Sequence, residues 1–267
     1  MSRPVIAFLT DFGTHDHYVG VMKGVALGIC PEAALVDITH EIPPQDVMAA
    51  SLQLAAAYSY FPAHTVFVVV VDPGVGTSRR ALAVEIGGYR FVAPDNGVLT
   101  TVLEDASRAD VVELTSKQHT RATVSRTFEG RDRFAPVAAW LANGATLADV
   151  GAPVAHDDVV RLYLPRASAT SGRIDGVVIH VDRFGNLITN ITRQLFDEQG
   201  GSPQATLDVA GSRIDAVSTT YGDVPAGALC ALFGSSEYLE IAVRGGSASR
   251  QLQSGRGTAV RVNIDRL

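Results

Sequence analysis

The sequence predicts an α/β protein whose chain continues into a smaller, antiparallel β-barrel-like domain. Up to about residue 165, apolar strand-like runs alternate with helix-like segments, which indicates an α/β domain with a mostly parallel sheet. After that point short strands follow one another between turn residues, which is typical of a small antiparallel barrel or sandwich. A length of 267 residues and a hydrophobic content of 46% are sufficient for two packed cores.

The first domain, residues 1–168, is predicted from hydrophobic periodicity and from the residues that end each element. Asp46 is placed to cap the helix that follows it, and Pro31 and Pro62 follow the ends of two helices. The predicted strands are residues 5–9, 34–37, 66–71, 81–86, 90–93 and 111–114. The predicted helices are residues 17–30, 47–60, 98–103 and 131–141.

The second domain, residues 169–267, follows a polar stretch of small residues at 166–172 that we interpret as a linker. Turn residues divide the rest of this domain into short strands of the length found in small barrels. The predicted strands are residues 174–181, 205–209, 212–216, 229–233, 238–243 and 258–262.

Composition limits the classes of function. A net charge of −6 disfavours nucleic acid as a partner and permits a cationic ligand. No apolar run approaches the roughly 20 residues of a membrane helix, and the N-terminus lacks the pattern of a signal peptide. Cys30 and Cys230 are too few for a disulfide scaffold or a metal cage. We therefore expect a cytoplasmic protein without membrane or nucleic-acid partners.

The stretch from Val66 to Arg79 is the strongest functional signal. An uninterrupted apolar run, rich in valine, predicts a strand buried on both faces, and it leads directly into Asp72. Ligands of open α/β sheets bind at the carboxyl ends of such strands. Arg79 is close enough in sequence to fold back over the same place. The alternative is a buried Asp72 that caps a turn, with Arg79 on the surface.

A second polar cluster follows the first predicted strand. Residues 10–17 contain two aspartates and two histidines, and a metal site built from Asp11, His15 and His17 is one interpretation. Their spacing fits no common ligand signature, so we expect no metal. A carboxylate at a strand end can instead accept hydrogen bonds from the two hydroxyls of a ribose. The remaining alternative is simple helix capping by Asp16.

Two further stretches combine aromatic and polar residues. In residues 127–136, Phe128 has a ring that could stack on a base, and Gly130 permits close approach of a ligand; a solvated helix start is the alternative. In residues 181–190, Asp182, Phe184 and Asn186 alternate. On a strand they would share one face and form a small-molecule surface, whereas a bulged turn would separate them.

Together these stretches resemble the S-adenosyl-L-methionine hydroxide adenosyltransferase family, which has fluorinating and chlorinating relatives. The resemblance covers almost the whole chain, and several motifs in one order are far more specific than any single motif. The matching motifs are residues 9–13, 71–76, 93–97, 127–132, 183–187 and 238–243.

The resemblance implies a two-domain subunit in a homotrimer, with the substrate between the first domain of one subunit and the second domain of its neighbour. It implies attack of water or hydroxide on C5′ of the ribose, with adenosine and L-methionine as products. S-adenosyl-L-methionine is then a substrate, and no cofactor or metal is expected.

The resemblance also assigns residues. In this family an Asp, Arg and His set holds the attacking oxygen; Asp72 and Arg79 match the first two, and Glu129 stands where the family has histidine. Asp11 would hold the ribose hydroxyls, and Asp182 would face the methionine amino group. The other residues implied to line the substrate site are Phe128, Phe184, Asn186, Ser235, Ser236, Glu237 and Tyr238.

Two alternatives stay open. Because Glu129 departs from the family set, the protein could bind S-adenosylmethionine or adenosine without turnover. Halide-dependent chemistry is the other alternative. The halogenating relatives place a serine hydroxyl next to the halide, where this chain has Gly130, and an anionic Asp72 would repel a halide. We therefore favour water over halide as the nucleophile.

Overall fold

A computed structural model describes residues 3–104 and 109–264, and the chain divides into two compact units between Leu162 and Tyr163. The strands of the first unit are β1 Val5–Thr10, β2 Ala34–Thr39, β3 Val66–Val70, β4 Ala81–Ile86, β5 Tyr89–Pro94, β6 Asp110–Leu114 and β7 Gly151–Pro153. Its α-helices are α1 Tyr18–Ile29, α2 Val47–Tyr58, α3 Thr100–Glu104, α4 Ala135–Ala142 and α5 Leu147–Val150.

The first unit is built on one seven-stranded sheet in the order β2-β1-β3-β5-β4-β6-β7. Strands β2, β1, β3 and β5 pair in parallel, and β4, β6 and β7 add three antiparallel pairings. The antiparallel part begins at the predicted hairpin around Gly87 and Gly88, which connects β4 to β5. The predicted α/β class is confirmed, and the sheet is mixed beyond its parallel half.

The central strand β3 explains why its sequence is apolar throughout. All five of its residues are buried. Val66, Val68 and Val70 face one hydrophobic core, which includes residues of α1 and α4, whereas Phe67 and Val69 face a second core with residues of α2 and α3. Because alternate side chains of a strand point to opposite faces, a strand between two layers of helices needs apolar residues at every position.

The second unit contains an eight-stranded, mainly antiparallel sheet. Its strands are β8 Ser168–Thr170, β9 Arg173–Val181, β10 Leu187–Thr192, β11 Thr206–Val209, β12 Ser212–Ile214, β13 Leu229–Phe233, β14 Tyr238–Val243 and β15 Ala259–Asn263. Two short helices accompany them, α6 Arg193–Glu198 and α7 Ala248–Leu252. The strand order is β12-β11-β15-β9-β10-β14-β13, and a bridge between Val217 and Ala231 brings the two ends together, so the barrel-like prediction is confirmed.

One local prediction for this unit is wrong, and for a second segment the structure favours one of the two alternatives left open. The stretch interpreted as a linker includes strand β8, which pairs with β9. Asp182, Phe184 and Asn186 do not share a strand face, because β9 ends at Val181 and the chain turns before β10 begins at Leu187. Strand β10 is absent from the predicted strands, although its residues alternate between buried and half-buried positions.

Helix length bears on membrane insertion. The longest helices in the described parts of the chain, α1 and α2, have 12 residues each. A helix needs about 20 residues to cross the hydrocarbon core of a bilayer. None of the described helices is therefore able to cross a membrane.

Candidate active site

The loop after β3 folds Arg79 back onto Asp72. Turn hydrogen bonds compact this loop: the amide of Val75 donates to the carbonyl of Asp72 (3.2 Å), and the Thr77 hydroxyl donates to the carbonyl of Gly74 (2.7 Å). Gly76 has a φ of 80°, and a Cβ there would lie 2.5 Å from the carbonyl oxygen of Arg126. Only glycine allows this close approach, which holds the loop against the segment that leads to Glu129.

Three charged side chains meet at this loop. Arg79 Nε lies 3.0 Å from each carboxylate oxygen of Asp72, and its Nη2 donates to Oδ2 of Asp72 and to Oε2 of Glu129 (2.6 Å). The exposed fractions of the side chains are 6% for Asp72, 10% for Arg79 and 12% for Glu129. The structure thus brings the three predicted catalytic residues together at a site that is largely shielded from solvent.

The charge balance of this cluster favours a protonated Arg79. Burial disfavours the guanidinium, but the hydrogen bonds and charges of Asp72 and Glu129 outweigh it and raise the pKa of Arg79 above its usual value. Two carboxylates surround one guanidinium, and Arg133 adds a more distant positive charge, 3.7 Å from Oε1 of Glu129. With Arg133 included, two carboxylates face two guanidinium groups, so the charges of the cluster are close to balance.

Glu129 precedes an irregular helix start. Residues Gly130–Phe134 form a single π-helical turn before α4, a feature that often occurs at functional sites. A Cβ on Gly130 would lie 3.1 Å from the sulfur of Met22 in α1, so a larger residue here would require the Met22 side chain to shift slightly. The ring of Phe134 lies under Arg79, with 5.3 Å between the guanidinium carbon and the ring centroid.

An aromatic cluster surrounds Phe128. Its ring meets Tyr18 edge to face at 5.2 Å between centroids and Phe12 at 6.0 Å, and the Arg131 guanidinium lies 5.1 Å from its centroid. The sequence analysis identified Phe128 as a candidate binding residue but placed Tyr18 only within a predicted helix. Tyr18 is 39% exposed and is the partly open member of the cluster.

Asp11 lies at the same sheet edge as Asp72. Strands β1 and β3 are parallel neighbours in which Thr10 pairs with Val70, so Asp11 and Asp72 both follow the carboxyl ends of adjacent strands. Oδ2 of Asp11 accepts the backbone amide of Gln45 at 2.8 Å, whereas Oδ1 has no hydrogen-bond partner among the described residues. His15, from the alternative metal interpretation, is fully exposed. The described residues contain no group of three metal-ligating side chains.

In the second unit, the segment from Asp182 to Asn186 is a tight turn. Oδ1 of Asp182 accepts the backbone amides of Phe184 (2.9 Å) and Asn186 (2.8 Å), and Oδ2 accepts the side-chain amide of Asn186 (2.9 Å). An aspartate that bonds to amides two and four residues later is a typical turn builder. Asn186 is buried and Phe184 is 75% exposed, so the bulged-turn alternative describes this segment better than the shared strand face.

A second turn contains Ser235, Ser236 and Glu237, between β13 and β14. Glu237 has a φ of 59° and pairs through Oε2 with Nε of Arg193 at 2.6 Å. In the register of β10 and β14, Thr192 lies opposite Tyr238 and Leu187 lies opposite Ile241. The two predicted binding turns therefore precede opposite ends of this antiparallel strand pair.

The sequence reading missed Glu240, a buried carboxyl group on β14. Only 7% of this residue is exposed, and Oε2 accepts a hydrogen bond from the Tyr221 hydroxyl at 3.1 Å. Burial raises the pKa of Glu240, and the nearby charge of Asp182 adds to the effect. The same causes, burial first and then Glu240, raise the pKa of Tyr221 to about 12. The available signal was a single carboxylate within an otherwise apolar strand.

Comparisons with known proteins agree with this geometry. The family model described as the SAM hydroxide adenosyltransferase N-terminal domain matches residues 6–151, and its C-terminal counterpart matches residues 176–261. A protein of Salinispora arenicola named (R)-S-adenosyl-L-methionine hydrolase is 40% identical over 98% of both chains. A protein of the same name from Thermus thermophilus is 41% identical over 97% of this chain and 99% of its own.

More distant relatives and solved structures extend the comparison. A protein of Actinoplanes sp. named fluorinase is 34% identical over 77% of both chains. The crystal structure of an uncharacterized conserved protein from Thermotoga maritima has a TM-score of 0.91 and 40% identity, covering 97% of this chain and 99% of that chain. On the two matching domain models and the near full-length relatives, the chain belongs to the SAM hydroxide adenosyltransferase family.

Proposed function

We propose that this protein hydrolyses S-adenosyl-L-methionine to adenosine and L-methionine. The observation that carries the proposal is the buried cluster of Asp72, Arg79 and Glu129 at the carboxyl end of the central strand, where α/β sheets bind ligands. Support comes from near full-length relatives that are named (R)-S-adenosyl-L-methionine hydrolase.

The proposed reaction is an in-line displacement at C5′ of the ribose. The water oxygen forms a bond to C5′ while the bond from C5′ to sulfur breaks, and the electron pair of that bond remains on the sulfur of methionine. The water proton passes to the carboxylate of Asp72, which acts as the general base. Because a sulfonium is already a good leaving group, the protein mainly has to hold a weak nucleophile in line in a water-poor site.

Arg79 has a positioning role in this proposal. Its guanidinium holds both oxygens of Asp72 and at the same time binds Glu129, so neither carboxylate is free to rotate. Glu129 then acts on the base through Arg79 and contributes negative charge beside the cationic substrate. This arrangement offers a different solution from the histidine that the family resemblance places at this position.

The remaining predicted residues are proposed to bind the substrate. Asp11 would accept the ribose hydroxyls through its unpartnered oxygen Oδ1, and Phe128 would present its ring to the nucleoside. In the second unit Asp182 would attract the methionine ammonium group. The turn and strand residues proposed to line the substrate are Phe184, Asn186, Ser235, Ser236, Glu237 and Tyr238.

Chemistry at this site favours water over a halide. Gly130 lacks the hydroxyl that the halogenating relatives use, and Asp72 and Glu129 would repel a halide ion. The departure of the sulfonium requires neither a Lewis acid nor a redox group. We therefore propose a reaction that needs no cofactor and no metal.

Incubation of the purified protein with S-adenosylmethionine in oxygen-18 water tests the proposal. We expect adenosine and methionine in equal amounts, with the heavy oxygen in the 5′-hydroxyl of adenosine, as measured by chromatography with mass spectrometry. A metal chelator should leave the rate unchanged. Adenine in place of adenosine, or adenosine without the label, would contradict the hydrolase. Chloride-dependent 5′-chloro-5′-deoxyadenosine would identify a halogenating enzyme, and binding without products would identify a binding protein.

We also propose a cytoplasmic homotrimer whose substrate sites lie between subunits. The family resemblance supports the trimer. The proposed binding residues are divided between two compact units, which fits a substrate site shared by two subunits. Cys30 and Cys230, both buried and unpaired, are compatible with a reducing compartment. Light scattering should give the mass of a trimer. Mixing Asp11→Ala with Asn186→Ala subunits should restore activity if the subunits exchange, and a fully active monomer would contradict the shared site.

A further inference from the structure

The short segment that carries Asp11 is tied to a buried histidine that directly follows strand β2. Oγ1 of Thr10 lies 2.8 Å from Nδ1 of His40, and the backbone amide of Phe12 donates to the same hydroxyl oxygen at 3.2 Å. The amide of Gly13 donates to the carbonyl oxygen of His40 at 2.8 Å. Residues on both sides of Asp11 are therefore held by His40, which is 4% exposed.

The far side of the His40 ring faces the carboxylate of Asp37. Its Nε2 lies 2.9 Å from Oδ1 of Asp37, and Oδ2 of Asp37 pairs with Nζ of Lys23 at 2.6 Å. Because a carboxylate only accepts hydrogen bonds, we assign the proton of neutral His40 to Nε2. Nδ1 is then an acceptor, and the Thr10 hydroxyl donates to it while accepting from Phe12. The contact of Nε2 with Asp37 is short but lacks hydrogen-bond geometry, so among the described residues the Thr10 hydroxyl is the hydrogen-bond partner that fixes the His40 ring.

This connection acts on the backbone segment that carries Asp11. Thr10 is completely buried, so water cannot replace His40 as the acceptor of its hydroxyl. Phe12 contacts both Tyr18 and Phe128 in the aromatic cluster. A change at His40 or at the Thr10 hydroxyl therefore reaches the Asp11 carboxylate through the backbone, whereas the ring of Phe12 stays held by its two aromatic neighbours.

We propose that His40 is a positioning residue: acting through the Thr10 hydroxyl, it orients the Asp11 carboxylate toward the ribose diol of the substrate. This inference rests on the proposed function, in which Asp11 accepts the ribose hydroxyls. It extends that function because neither His40 nor Thr10 touches the substrate. Their contribution should appear in ribose recognition, and so in KM, more than in kcat.

Calorimetric binding of adenosine and of 2′,3′-dideoxyadenosine to the full-length protein tests the inference. Thr10→Val removes the hydroxyl while keeping the side-chain shape, and we expect it to weaken adenosine binding about three- to tenfold, the range for one hydrogen bond. Dideoxyadenosine binding should not change, because that ligand lacks the diol. Thr10→Ser, which retains the hydroxyl, should bind adenosine like the wild type.

Variants of His40 and Asp11 complete the design. His40→Asn can place an amide oxygen near the position of Nδ1 and should bind adenosine more tightly than His40→Leu. In the background of Asp11→Ala, Thr10→Val should have no further effect on adenosine binding. If Asp11→Ala weakens both ligands equally, the assignment of Asp11 is wrong. If Asp11→Ala selectively weakens adenosine but Thr10→Val weakens both ligands equally or neither, the positioning role of His40 is wrong.

Discussion

Replacing Asp72 by asparagine is expected to lower kcat by about 10²- to 10⁴-fold, the usual contribution of a positioned general base. Asparagine has nearly the same shape, and its amide oxygen can still accept the hydrogen bond from Nη2 of Arg79. The amide cannot take a proton from the attacking water, however. KM should change little, because the proposed substrate contacts are made by other residues. Steady-state kinetics of adenosine formation measures both parameters.

Glu85→Gln is the matched control for this experiment. Glu85 also pairs with an arginine, accepting from Nε of Arg90 at 2.9 Å, but it lies on the hairpin of β4 and β5 and is not part of the proposed site. Its kcat should equal that of the wild type. A folded Asp72→Asn protein that keeps more than about a tenth of wild-type kcat would show that Asp72 is not the base, since a positioned base contributes ~10²-fold or more.

Replacing Arg79 by methionine is expected to abolish activity and to lower the free energy of unfolding by about 3–5 kcal/mol. The substitution leaves the carboxylates of Asp72 and Glu129 largely shielded from solvent and without the guanidinium that binds both of them. Because domains are stable by only about 5–15 kcal/mol, a loss of this size should shift the urea midpoint clearly. Urea unfolding followed by circular dichroism measures it.

Neutralising the two carboxylates should reverse much of this loss. The triple variant Asp72→Asn, Arg79→Met, Glu129→Gln should be more stable than Arg79→Met alone, although it should remain inactive. Arg213→Met is the control, because the pair of Arg213 and Asp215 is exposed and such pairs contribute about 0–1 kcal/mol. If the triple variant is no more stable than the single one, the loss reflects missing packing on Phe134 and not uncompensated charge.

The sequence was most informative where a residue's environment follows from its neighbours along the chain. The valine-rich run before Asp72 predicted a doubly buried central strand because both faces of that strand meet a core. The contact between Asp72 and Arg79 was also predictable, because only a short turn separates the two residues along the chain. Glycine and proline after the strand were sufficient to predict that the chain reverses there.

Prediction failed where two local patterns look alike. The segment from Asp182 to Asn186 has a carboxylate, an aromatic ring and an amide at every second position, as one face of a strand could, but Asp182 accepts the amides that a strand would have left for its neighbour. Side-chain acceptors of this kind compete with sheet hydrogen bonds. Periodicity alone does not reveal whether the strand or the turn forms, so both alternatives stayed open for this segment and strand β10 was not predicted.

Sequence patterns also could not predict contacts between residues that are far apart along the chain. His40 meets Thr10 across 30 positions of the chain, and Tyr221 meets Glu240 across 19. Neither histidine nor glutamate carries a local sign of such a partner. A buried polar group needs a hydrogen bond, but only the fold shows which residue supplies it.

The spacing of the charged cluster along the chain has a consequence for folding. Asp72 and Arg79 are seven positions apart, whereas Glu129 reaches Arg79 across 50 positions. Short loops close at a lower entropic cost, so the first pair can form as soon as β3 and its turn exist. Glu129 joins a guanidinium that is already paired, and its repulsion with Asp72 arises late on the folding route. Substitutions at Glu129 will therefore change the rate of unfolding more than the rate of folding.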